Sequence, residues 1–244
     1  NRELQLTATV GLPAAFNGTA VWSVDDTSNF NFAAAVRSPV SVFLAPVAGG
    51  AVSTVYLVLA ANTLPGRSTL TFSLTAMVPG NGLSTVGSVV VTVNAPPQAG
   101  SFAVTPANGT EIVDQFTFLA DRWIDSDLPL QYQFAYVSVS GAEVTVRSKL
   151  EVAYGSTPLF AGLAVRNFIV SCVVHVFDSL AASSSATAVV QVFKEPTRSA
   201  ASLGVIITDS LGDAASSIDG LKQATALGSY LLNDVNCSAA PNCA

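Results

Sequence analysis

The residues with the most chemical potential in this chain are aspartates grouped around two tryptophans. Asp121, Asp125 and Asp127 surround Trp123, and Asp25-Asp26 follows Trp22. Closely spaced carboxylates suit a hard cation, and calcium takes about six to eight oxygens from carboxylates, carbonyls and water. The same residues also suit a turn, because an Asp side chain accepts backbone N–H bonds locally and tolerates turn geometry. Both readings stay open, since Asp121, Asp125 and Asp127 name fewer oxygens than calcium takes. The tryptophans divide in the same way. An exposed indole is a platform for a sugar ring, whereas a buried one fills the space between two sheets. Both sit where a sandwich needs a large inter-sheet side chain, which favours the core.

The chemistry of catalysis has few parts to work with. The single histidine, His175, lies in the Val-rich run Val173-Val174-His175-Val176. No G-x-S-x-G elbow accompanies it. One His with scattered Cys offers no zinc spacing. No Gly-rich loop joins a strand to a helix as dinucleotide- or phosphate-binding motifs require. Cys172 falls inside the apolar run Ile169–Val176 and reads as a buried free thiol. Cys237 and Cys243 bracket a short polar stretch and are candidates for a disulfide in an oxidising compartment. These features predict no enzyme and no cofactor beyond calcium.

The surface must be solubilised with little charge. Half of the 244 residues are hydrophobic and 11% are charged, with a net charge of −6. Lys and Arg are scattered singly, so nothing resembles a nucleic-acid or anionic-membrane footprint. The longest apolar runs, such as Val55–Ala61, have strand length and fall well short of the ~20 residues of a membrane-spanning helix. Sequons at Asn17, Asn108 and Asn236 predict N-glycans, with Asn17 and Asn108 in Gly-containing loops or turns.

Short alternating segments must position these residues. Leu4–Val10, Ala20–Val24, the Leu70/Phe72/Leu74 run and Val86–Val93 read as strands of a first β-sandwich over residues 1–95. Asn94-Ala95-Pro96-Pro97 reads as an extended junction, since neither proline can donate to a ladder. A second sandwich follows over residues 96–195. Its strands include Phe102–Val104, Phe116–Leu119, Gln131–Ser138, Val144–Arg147, Phe168–Phe177 and Ala186–Phe193, with Tyr132, Phe134 and Tyr136 on one face. Residues 196–244 change period. Leu203, Ile207, Leu211, Ala214, Ile218 and Leu221 recur at helical steps, with Asp209, Asp213 and Asp219 facing away. Glycines predict two helices broken near Gly212 or Gly220, ending in a Cys-containing loop and docking on sequence outside this segment. The fold class expected is all-β: tandem Ig/fibronectin-III-like sandwiches followed by a short helical C-terminal segment.

The ordered landmarks N-x-P-P-x-x-G (from Asn94), V-x-P-x-x-G (from Val104) and F-x-F-x-x-x-x-W-x-D-x-D-x-P-L-x-Y-x-F (Phe116 to Phe134) resemble the REJ, or receptor for egg jelly, region. Leu57–Ala76 upstream and Phe168–Val192 downstream are similar to its flanking strand pairs. The resemblance covers most of residues 20–195. It implies a non-enzymatic extracellular segment of a polycystin-like cell-surface protein, acting as spacer and protein-interaction module on a ciliary or flagellar membrane. Its implied partners are other extracellular or membrane glycoproteins, such as a polycystin-type channel subunit or a filament subunit. Cysteines that such regions often carry near the positions of Phe102 and Ala120 are both missing. A structural subunit of an extracellular filament or cell-wall layer, and a carbohydrate-binding module, are the alternatives.

Overall fold

The computed structural model describes residues 3–14, 16–46, 51–80, 82–195, 205 and 218–239, with residues 51 and 231–239 described by backbone alone. The chain divides into two compact units, Asn1–Ala95 and Pro96–Ala244.

In the first unit, period-two alternation builds six strands: β1 (Leu4–Leu12), β2 (Gly18–Val24), β3 (Ser41–Leu44), β4 (Ala51–Leu59), β5 (Thr69–Val78) and β6 (Leu83–Thr92). They form two antiparallel sheets, one ordered β1-β4 and the other β3-β2-β5-β6. In β5 every second residue, Leu70, Phe72, Leu74, Ala76 and Val78, turns inward and is buried. Trp22 on β2 lies in the same core with Leu57 and Leu59 of β4. The run from Phe30 is not a strand. It holds α1 (Phe32–Ala35), a single turn whose Asn31 side chain accepts the Ala34 N–H at 3.1 Å. That turn brings Phe30 edge-on to Phe72, with centroids 6.4 Å apart.

The second unit contains β7 (Ser101–Thr105), β8 (Asn108–Thr110), β9 (Gln115–Asp121), β10 (Gln131–Val137), β11 (Glu143–Leu150), β12 (Tyr154–Pro158), β13 (Ile169–Phe177), β14 (Ser183–Phe193) and α2 (Ile218–Ala239). One sheet is ordered β12-β9-β7 and the other β11-β10-β13-β14-β8. Three strands face four, with the short β8 added parallel to β14. Hairpin partners divided between two sheets in this order are the arrangement of immunoglobulin and fibronectin-III sandwiches, so the all-β expectation holds. Phe102, Phe118 and Phe134 form the centre of the core, with ring centroids 5.8–6.2 Å apart. Phe102 and Ala120, the two positions without cysteines, are register partners across β7 and β9. No strand crosses residues 93–100.

Several local expectations fail for identifiable reasons. Asn108-Gly109 lies in β8 rather than in a turn, because the parallel edge of β14 recruits the segment. The strand β12 carries Gly155 and Pro158 and little β-propensity of its own. It forms by pairing with β9. Gly220 does not break a helix, since α2 continues through it and on to Ala239. Asn236 and Cys237 therefore lie on helical backbone rather than in a loop. Cys243 and the helical positions Leu203, Ile207, Leu211, Ala214, Asp209, Asp213 and Gly212 fall outside the described residues.

The orientation of α2 is also reversed from the expectation. Ile218 and Leu221 are exposed, whereas Ala224 and Leu227 are buried. The helix docks within its own unit. Gln223 Nε2 donates to the Val146 carbonyl of β11, and Tyr230 stacks on Phe160 at a centroid separation of 4.7 Å. Tertiary polar and ring contacts outweigh the intrinsic apolar stripe when the stripe is short and interrupted by glycine.

Trp123 is 7% exposed and its Nε1 donates to the Ser101 carbonyl at 3.3 Å. Trp123→Ala is expected to lower stability by about 3–5 kcal/mol, read by chemical denaturation. An unchanged midpoint would show that the ring is not a core element.

Candidate functional site

The acidic cluster is assembled by two loops that lie far apart in sequence. Asp125 and Asp127 sit between β9 and β10, and Asp178 follows β13. One carboxylate oxygen from each lies within 4.8 Å of the others. Asp121, expected in this group, is not part of it. It lies exposed at the end of β9, 3.4 Å from the Arg122 guanidinium. Asp178 is the member that sequence reading missed. It stands 51 positions after Asp127, and its strand register alone brings it close.

Two carboxylates of the cluster, those of Asp125 and Asp178, also organise backbone. Asp125 Oδ1 accepts the Asp127 N–H at 2.9 Å. Asp178 is 2% exposed and its Oδ1 accepts the Leu180 and Ala182 N–H groups at 2.9 and 2.8 Å. The Ser179 N–H donates to the Asp127 carbonyl at 3.0 Å, which ties the two loops together. The turn reading therefore describes what these side chains do. They also place three carboxylates around one point, about half of the oxygens a calcium ion takes. In the first unit Asp25 Oδ1 accepts the Thr71 and Asp26 N–H groups, and Asp26 Oδ1 accepts the Ser28 N–H and Oγ–H. The Thr71 and Ser28 bonds respectively hold the Asp25 and Asp26 carboxyls below the usual carboxylate range.

The groups considered for catalysis are separated. Cys172 is fully buried, and burial pushes its thiol up to about 12, which keeps it protonated and unreactive. His175 Nε2 lies 3.0 Å from Glu143 Oε2, but this pair stands on a sheet face, and His175 lines neither of the cavities described here. Neither tryptophan offers a flat exposed face, since Trp22 is 4% exposed and Trp123 7%. Asn17 and Asn108 are both exposed, at the start of β2 and in β8. The Asn236 and Cys237 side chains lie outside the described residues, as does Cys243.

A second polar centre holds α2. Glu111 is fully buried and accepts hydrogen bonds from Tyr230 Oη–H at 2.6 Å and from the N–H groups of Ala161 and Glu195 at 3.2 Å. At the other end of the contact, Asp219 accepts the Ser148 N–H at 2.6 Å and the Ser148 hydroxyl. A cavity of about 340 Å³ lies beside the helix, lined in part by Tyr136, Val144, Phe160, Arg166 and Tyr230. The expectation that Asp219 faces away is thus overturned, because Ser148 on β11 presents two donors to it.

These observations define a protein of two all-β units, Ig/fibronectin-III-like in class. The family model described as the REJ domain matches residues 4–225, and the chain belongs to that family. No curated protein matches it. Among solved structures, it is similar to a calcium-stabilised ice-binding adhesin of an Antarctic bacterium at 14% identity, covering 78% of this chain and 44% of that one, with a TM-score of 0.37. An amphioxus IgVJ-C2 molecule matches at 11% identity over 78% of this chain and 96% of that one, with a TM-score of 0.29. The FN1–FN3 domains of chicken CNTN1 match at 11% identity over 73% and 56%, also with a TM-score of 0.29. At these scores the three structures carry no argument, and the fold assignment rests on the strand order.

Burial alone would raise the Asp219 carboxyl, but the Ser148 hydrogen bonds and Lys222 hold it below its ordinary value. Its contribution to helix docking is therefore full above the unfolded carboxylate range, near pH 4, and is lost as pH falls through the folded value. Asp219→Ala is expected to weaken docking by about 1 kcal/mol, a low figure because solvent reaches the carboxylate. Amide exchange in α2 should quicken relative to β13. Equal exchange in both proteins would show that Asp219 does not anchor the helix.

Proposed function

We propose that this chain is a non-enzymatic extracellular segment of a polycystin-like cell-surface protein, serving as spacer and protein-interaction module. The match to the REJ domain across residues 4–225 carries this reading. Two physical features agree with it. Sandwiches bonded across antiparallel strands resist extension, because pulling the ends apart must break ladders of backbone hydrogen bonds together. A chain with only 11% charged residues and with exposed Asn17 and Asn108 fits a glycoprotein surface that meets other proteins. No helix among the described residues is long and apolar enough to cross a membrane. The partners in this proposal are other extracellular or membrane glycoproteins, and the setting is a cell surface, ciliary or flagellar.

A replacement experiment in the intact protein separates the two roles. Residues 1–244 are deleted, or exchanged for an unrelated tandem sandwich of equal length, and surface neighbours are recovered by cross-linking. An interaction module loses its neighbours in both variants. If the unrelated tandem restores them, the segment is a spacer only. Turnover on a hydrolase and transferase panel that disappears with His175→Ala would overturn the non-enzymatic reading.

The calcium part of the proposal now falls on Asp125, Asp127 and Asp178. Calcium of the weak extracellular kind would raise stability by about 1–2 kcal/mol at millimolar concentration. Asp127→Asn should remove that gain. Superimposable unfolding curves with calcium and with chelator would dismiss the site.

A further inference from the structure

The two units share one strand plan, and among the described residues the first lacks counterparts of β7 and β8. The order β3-β2-β5-β6 in the first unit repeats as β11-β10-β13-β14 in the second. The pair β4-β1 repeats as β12-β9, but the second unit adds β7 beside β9, antiparallel to it from Ser101↔Asp121 to Thr105↔Thr117. There β7 covers the sandwich edge over β14, with Val104 buried and Phe102 packed on Phe118 and Phe134. Nothing among the described residues of the first unit takes that place.

A groove of about 420 Å³ lies there, between β1 and β6, bordered by Thr7, Thr9, Trp22, Phe72, Gly87 and Val89. Four observations describe what fits it. First, β1 pairs with β4 alone among the described residues, so one edge of its ladder is open; such an edge is a template for another strand. Second, register with β5 sets Val89 and Gly87 opposite Phe72 and Leu74, on the core-facing side, yet Val89 is 42% exposed. Third, Trp22 is buried while its Nε1 donor has no hydrogen-bond partner among the described residues, which is unfavourable until an acceptor arrives. Fourth, no residue lining the groove is charged, so the inward side chains of any occupant must be uncharged as well.

We propose that this groove receives a seventh strand, antiparallel to β1, from the stretch of the same polypeptide that leads into Leu4 in the intact protein. The second unit is the precedent within the chain, since β7 precedes β9 in sequence and closes the equivalent edge. The strand carries uncharged side chains at alternate positions, facing Gly87 and Val89. It closes the open edge of β1 and covers β6. This inference stands apart from the choice between spacer and interaction module.

The test uses Gly87→Cys and, as a second reporter on the same face of β6, Thr85→Cys. A Cβ at Gly87 meets nothing within 4 Å, and its backbone conformation suits an ordinary side chain. Each variant is made in the 244-residue protein and in the intact cell-surface protein. Labelling by N-ethylmaleimide is read by mass spectrometry on the peptide containing residue 85 or 87. Photo-leucine incorporated at Leu6 and Leu74 then reports what lies in the groove. The expected result is rapid labelling in the 244-residue protein and labelling at least about tenfold slower in the intact one, an occupancy of roughly 90% or more. The photo-cross-links should run to residues upstream of Asn1 in the same chain. Equal labelling in both proteins would overturn the proposal. So would cross-links to a second copy, to a different protein, or to residues within 1–244.

Discussion

Every buried strand must both hide one face from water and find a partner for each N–H and C=O along its edges. This double requirement organises the whole chain. The first part is met by alternation, as in β5, where Leu70 through Val78 place every second side chain in the core. The second part is met by neighbours, and it explains elements with little propensity of their own. Tyr154–Pro158 becomes a strand because β9 needs a partner on that side, and Asn108–Thr110 becomes one because β14 does. The open edge of β1 is the same requirement seen where no described neighbour meets it.

Few charges are available, and the buried ones all serve connections between elements. Asp178 closes the turn after β13, and Glu111 gathers donors from Tyr230, Ala161 and Glu195. A buried carboxylate is costly unless several donors converge on it; Asp178 gathers two from its own turn, and Glu111 joins three separate segments. The helix α2 is attached in this manner. Its buried apolar contact is small, Ala224 and Leu227 with Tyr230 against Phe160, and polar groups at both ends set its position.

The two groups considered for catalysis each have a structural setting. Cys172 is locked as a buried thiol, and His175 pairs with Glu143 on a sheet face rather than in a cleft. A β-sandwich presents loops and strand edges at its surface.

The sequence by itself determined the class of the fold, the positions of Trp22 and Trp123 in cores, and the family. Those properties are local: a period of two and a few ordered landmarks state them within tens of residues. Two of the three carboxylates of the acidic cluster were legible in the same way, since Asp125 and Asp127 are neighbours in one turn. Its third member, Asp178, was not, and Asp121 lies outside the group, because proximity in sequence says nothing about which loops a strand register brings together. The docking face of α2 was likewise decided by Ser148, Val146, Phe160 and Glu111, residues 60 or more positions away. Alternation specifies that a strand has an inner face, but only the assembled sheets specify which residue stands opposite it, and the polar chemistry of this protein depends on that second fact.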